Sequence, residues 1–173
     1  MKRFHAKPGE RRCLQIEKFL FGLITFLVAV LAIFAATASA DGQHSGVWKL
    51  NPAKSKYSPG PGPKELTETI LLSMNRYKVD ANGTGADGKP MHIEFDAKFD
   101  GKDYPMIGVP WADTLTVKWI DADTPQIIQK KDGQATMIIT CTVSTNGRTR
   151  TCTLKGTDEE GRKVNNVVVF DRQ

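Results

Sequence analysis

Few side chains in this 173-residue chain have types and spacings that could do chemistry. Two carboxylate pairs, Glu94/Asp96 and Asp121/Asp123, carry the groups that acid–base catalysis needs. The run Asp158-Glu159-Glu160-Gly161 is acidic enough to attract a cation. His44 and His92 are candidate haem ligands, and Cys141 and Cys152 a candidate disulfide. Glu68 and Arg150 are charges set among apolar neighbours, where a polar group of a ligand could be held. There is no nucleophile elbow with serine, histidine and aspartate in order, no phosphate-binding glycine loop and no metal-ligand spacing. The expectation is a protein that is not an enzyme and carries no cofactor or metal.

The elements that must position these groups are strands. In Met91–Phe99, the residues Met91, Ile93, Phe95, Ala97 and Phe99 share one face, and His92, Glu94, Asp96 and Lys98 the other. Leu115, Val117 and Trp119 oppose Thr114, Thr116 and Lys118; Met137, Ile139, Cys141 and Val143 oppose Ile138, Thr140 and Thr142. Period-two alternation with β-branched residues predicts half-buried antiparallel strands. Asn82-Gly83, Asp87-Gly88, Asp100-Gly101, Asp132-Gly133 and Asn146-Gly147 supply positive φ for tight turns between them. Strands are expected over 46–50, 65–72, 75–81, 91–99, 102–105, 113–120, 125–131, 134–143, 148–156 and 164–171. Eight to ten short strands joined as consecutive hairpins predict an all-β, antiparallel up-and-down barrel.

This pattern assigns sides to the candidate groups. Glu94 and Asp96 fall on the polar face with His92, Asp121/Asp123 fall in a turn, and His44 precedes the first strand. The carboxylates read as solvated charge, not catalysts, and neither histidine is placed to ligate a haem inside the barrel. A two-residue Asn146-Gly147 turn places Cys141 directly opposite Cys152, on the face shared by Val143 and Leu154. The pair is expected to form a disulfide, or else to pack as two small thiols. Glu68 shares its face with Leu66, Ile70 and Leu72, and Arg150 with Cys152 and Leu154. An isolated buried charge is very costly, so two readings stand. The pair lies hydrated near a barrel mouth, or one or both residues anchor a polar ligand group inside.

Residues 1–40 read as an export signal. A basic segment (1–18) precedes an uncharged apolar run (19–36), and Ala38-Ser39-Ala40 follows as a cleavage site. Retention of the run as an uncleaved membrane anchor is the other reading; either way residues 41–173 are exported to the periplasm or beyond. The charge balance changes with it. The whole chain has 24 Lys and Arg against 19 Asp and Glu; removing residues 1–40 leaves 18 against 17. The clustered basic surface expected of a nucleic-acid binder is therefore absent from the working domain.

The stretch Gly46-Val47-Trp48, opening a β meander, resembles the G-x-W start of lipocalins and the related fatty-acid-binding proteins. More closely, residues 46–64, 99–105, 130–133 and 155–173 are similar to an uncharacterised group of exported bacterial lipocalin-like proteins. The resemblance implies a barrel with Trp48 as a structural plug at its closed end. The Pro/Gly-rich residues 51–64 depart from the helical lid of fatty-acid-binding proteins.

Function is expected in the interior. Phe95, Phe99, Leu115, Val117, Trp119, Ile139 and Leu154 point inward, with Glu68 and Arg150, and could line a cavity for a small apolar or amphipathic ligand in a monomer. The same residues could instead fill the barrel solidly. The protein would then act in the cell envelope through Met106, Ile107, Val109 and Trp111, an apolar, Pro-flanked loop that otherwise serves as a lid or closes the core. The Tyr57–Pro63 segment reads as a stiff connector beside the same opening.

Overall fold

A computed structural model describes residues 43–173. The expected signal segment and its cleavage site, 1–40, lie outside the described residues. The described residues form ten strands: β1 (Gly46–Leu50), β2 (Glu65–Ser73), β3 (Arg76–Thr84), β4 (Pro90–Lys98), β5 (Tyr104–Ile107), β6 (Thr114–Trp119), β7 (Pro125–Lys131), β8 (Gln134–Val143), β9 (Thr149–Thr157) and β10 (Lys163–Arg172). Each pairs antiparallel with the next, and β1 pairs with β10 to close an up-and-down barrel. The architecture is consistent with a lipocalin-like fold.

Alternation sets the inside. Trp48, Leu66, Ile70, Tyr77, Phe95, Leu115, Val117, Ile127 and Phe170 are buried, while Ile138 and Leu71, on the opposite parity, are exposed. In such a barrel alternate connections share an end. The β1–β2, β5–β6 and β9–β10 connections lie at one end, and the β2–β3, β4–β5, β6–β7 and β8–β9 turns at the other.

The β1–β10 seam has only three strand pairs, Trp48 with Arg172, Lys49 with Asp171 and Leu50 with Phe170. It is extended beyond β1: the Asn51 N–H donates to the Val169 carbonyl (2.8 Å), and Lys56 and Val167 exchange backbone bonds of 2.7 and 2.8 Å. The chain then turns across the barrel end through Pro59–Pro63. Gly62 lies flat on the Tyr57 ring, where any Cβ would overlap it.

Two turn expectations are corrected. Asn82-Gly83 is not a turn: β3 runs through it, and Gly83 lacks a side chain where the Glu65 carbonyl of β2 passes too close for a Cβ. The β8–β9 register is as expected, with Cys141 opposite Cys152, but the turn closes one pair earlier. Ser144 accepts from the Gly147 N–H and donates to Thr149 (2.8 Å each), so the loop is the four residues 145–148, not Asn146-Gly147 alone. A loop longer by one residue on each side leaves the register unchanged. Asp132-Gly133, with φ of 48° and 76°, is the two-residue hairpin turn expected there.

Candidate functional site

The barrel is divided along its axis. The end holding Trp48 is filled by aromatic side chains: Tyr77 and Phe99 stack at 6.4 Å, and Phe99 and Trp119 at 4.8 Å. The Trp119 indole N–H reaches the Met74 carbonyl of the β2–β3 turn at 3.3 Å. Toward the other end, under Pro59–Pro63, lies a cavity of about 480 Å³.

Its wall is apolar, built from Leu66, Val79, Ala81, Ile93, Phe95, Ile127, Ile139, Leu154 and Val168, with the Cys141–Cys152 disulfide set into it. Its mouth is formed by Pro59–Pro63, Val109, Trp111 and the β9–β10 turn residues Asp158, Glu159, Glu160 and Arg162. Several of these are exposed, so the cavity reaches the surface. At its inner end sit Glu68, Tyr77, Arg150 and Phe170.

Arg150 departs from the hydrated-mouth reading, while Glu68 keeps some exposure, 16% at its side chain. Arg150 is 3% exposed and pairs with Glu68, Nη1 to Oε2, at 2.5 Å. Its Nη2 donates to the Tyr77 hydroxyl at 2.9 Å and contacts Cys141 Sγ at 3.1 Å, and its plane lies over Phe170. The Nε–H has no acceptor among the described residues. β2 and β9 flank the short β1–β10 seam, so the ion pair ties together the strands on either side of it. Burial pushes the Tyr77 hydroxyl above its ordinary value, with Arg150 pulling the other way, and the phenol stays protonated.

The other expected lining residues separate by height in the barrel. Phe95, Ile139 and Leu154 line the cavity. Leu115, Val117, Phe99 and Trp119 face inward but lie outside the cavity wall, because the aromatic stack and its aliphatic neighbours occupy their part of the barrel. Within the expected apolar loop, Met106 belongs to β5 and is buried, Val109 and Trp111 turn to the cavity mouth, and only Ile107 is largely exposed, at 55%. Trp111 is fixed by its N–H, which donates to Gln129 Oε1 at 2.8 Å. Tyr77 and Gln129 were missed by sequence reading. Their signal was parity, since Tyr77 alternates with Val79 and Ala81, and Gln129 with Ile127.

Trp48 plugs the closed end. It is wholly buried, its indole N–H donates to the His44 carbonyl at 2.8 Å, and the Arg172 guanidinium lies 4.2 Å from its ring centre. Arg172 also donates to the carbonyls of Gln43, Ser45 and Gly147. This explains the glycine of the G-x-W start. Gly46 has φ of 134°, and a Cβ would stand 2.7 Å from Arg172 Nη1.

His44, ahead of β1, is buried. It is 1% exposed, its Nε2 lies 2.9 Å from the Asp123 carbonyl, and its Nδ1 has no partner among the described residues. Burial lowers its pKa below 6.5; the Asp123 carbonyl opposes this, and Arg150 and Arg172 add to it. The folded form therefore resists a proton that the unfolded chain accepts. Stability is full above about pH 6.5 and falls as pH drops below it, by at most about 1.4 kcal/mol per pH unit for one group. Denaturant midpoints between pH 7.5 and 5 should show this slope, and His44→Gln should flatten it. Equal slopes in both proteins would remove His44 as the cause.

The outward groups stay outward. Asp96 pairs with Arg76 on the solvent side, and Asp121 and Asp123 are exposed in the β6–β7 turn. Asp80, His92 and Glu94 bring their ligand atoms within 4.8 Å of one another, the one such grouping among the described residues, on the outer face of β3 and β4. No protein-family model, curated protein or solved structure matches this chain.

Proposed function

We propose that this is an exported binding protein of lipocalin-like type, resembling the bacterial group named above, and that it holds a small apolar or amphipathic molecule inside the barrel. The observation that carries this reading is the cavity of about 480 Å³, which reaches the surface at the Pro59–Pro63 and β9–β10 rim. That size and an apolar wall with a few convergent polar groups suit a small-molecule site. Each 100 Å² of apolar ligand surface removed from water there contributes about 2.5 kcal/mol. Binding without catalysis fits the polar groups, since Glu68, Arg150 and Tyr77 are committed to one another. The rival reading, action through an apolar loop, has less to stand on, because three of its four large side chains turn inward.

Ala81 tests the site. It is buried on the cavity wall, opposite Glu68 and Ile93. Ala81→Leu should fill the space and weaken binding of the neutral fluorophore N-phenyl-1-naphthylamine at least about tenfold, with the thermal midpoint held. Unchanged binding would place the ligand elsewhere. Native mass spectrometry of the protein recovered from its own cells should then show a reproducible bound mass.

Export is supported by the buried Cys141–Cys152 disulfide, a bond that persists in oxidising compartments. The exported fraction should carry Asp41 as its first residue on N-terminal sequencing. A chain that retains residues 1–40 in the membrane fraction would mark the apolar run as an anchor.

A further inference from the structure

We infer that the cavity, if it binds amphiphiles as proposed above, selects an uncharged head bearing an acceptor oxygen and disfavours a carboxylate. The lone arginine at the inner end of an apolar cavity suggests a fatty-acid anchor at first sight, but its surroundings argue otherwise. Arg150 is already neutralised by Glu68 at 2.5 Å; the guanidinium is buried and the carboxylate keeps only 16% of its side-chain surface exposed. A ligand carboxylate placed beside Arg150 would face the Glu68 carboxylate as well, setting two anions around one cation in a low-dielectric site.

The rest of the lining points the same way. Four acidic residues, Glu68, Asp158, Glu159 and Glu160, line the cavity against two cations, Arg150 and Arg162. Arg162 is held at the mouth by Asp158 and Glu160, at 2.7 and 2.8 Å, and offers no free charge to an entering acid. What the inner end does offer is hydrogen bonding. Among the described residues, Arg150 Nε–H is a buried donor with no acceptor, and the Tyr77 hydroxyl accepts from Arg150 but donates to no side chain or carbonyl. An unmet buried donor beside an apolar wall is satisfied by a carbonyl, hydroxyl or amide oxygen on an apolar chain.

The test is a matched twelve-carbon series, dodecan-1-ol, dodecanamide, dodecanoate and dodecylammonium, each used below its micelle concentration to displace N-phenyl-1-naphthylamine. The alcohol and amide should bind at least about tenfold more tightly than either charged member. Glu68→Gln, which keeps a polar side chain but frees the Arg150 charge, should bring dodecanoate to parity with the amide or beyond. Should that variant not fold, Glu68→Leu/Arg150→Met removes the polar pair together, and the preference for the amide over dodecane should vanish. Dodecanoate or dodecylammonium binding the wild type as tightly as the amide overturns the head-group inference and leaves the cavity reading standing. If no member displaces the fluorophore and the fluorophore itself does not bind, the cavity reading fails and takes this inference with it.

Discussion

Glu68→Ala should destabilise the barrel by about 3–5 kcal/mol, one of the two largest single-residue effects expected here. The reason is the charge it leaves behind. Arg150 is 3% exposed, and without Glu68 it keeps only the Tyr77 hydroxyl, Cys141 Sγ and the Phe170 face as neighbours. None carries the compensating negative charge. Arg150→Met should cost less, because a carboxylate can protonate or turn toward the cavity, whereas a guanidinium cannot lose its proton. Glu68→Leu/Arg150→Met should recover most of the loss, since a well-packed apolar pair often equals or exceeds a buried ion pair in stability. Urea denaturation of the wild type, both single variants and the double variant measures the coupling directly. A single-variant cost below about 1 kcal/mol would mean that water reaches the pair and that it behaves as a surface salt bridge.

That cycle also shows why the pair is worth retaining. It joins β2 to β9 across a seam with only three strand pairs. The seam is where an up-and-down barrel must join its first and last strands, and its ladder is short here, as are those of β5 with β4 and β6. An ion pair there specifies which strands meet, while the Tyr77 hydroxyl brings β3 into the same network. The inner end of the cavity and the closure of the barrel are thus one group of side chains.

Much of this arrangement was legible in the sequence. The ten strands appear near their expected bounds, because alternation is a local signal that survives folding when one face is buried. The Cys141–Cys152 pairing was legible because register depends on the sum of partner positions, which a longer symmetric turn does not change. Height along the barrel was not legible. Val117 and Phe95 have the same inward parity, yet only Phe95 meets the cavity. What separates them is the Tyr77–Phe99–Trp119 stack, whose members come from β3, the β4–β5 turn and β6. The Pro59–Pro63 segment was read as a connector because its stiffness is local, while its placement over the mouth depends on pairing with β10. The burial of His44 was not legible for a similar reason: the Asp123 carbonyl that receives it lies 79 positions away.

Trp48→Ala is the second large effect, at about 3–5 kcal/mol, and it should leave the ligand site intact. Three losses add together. The largest buried side chain at the closed end is replaced by a void. The His44 carbonyl loses its donor, and Arg172 loses the ring beneath it. Arg172 in turn ties the carbonyls of Gln43, Ser45 and Gly147 to the last strand, so the damage reaches the N-terminal segment and the β8–β9 turn. Trp48→Phe separates the parts: it keeps a ring under Arg172 and removes the indole N–H, for a smaller loss of about 1–2 kcal/mol. Trp48 is not among the residues that line the cavity. Trp48→Phe should therefore bind N-phenyl-1-naphthylamine within about twofold of the wild type, while its denaturation midpoint falls. A parallel loss of affinity would mean that the plug and the cavity are coupled through the Phe95–Tyr77–Phe99 contacts, and that the closed end helps to set the shape of the site.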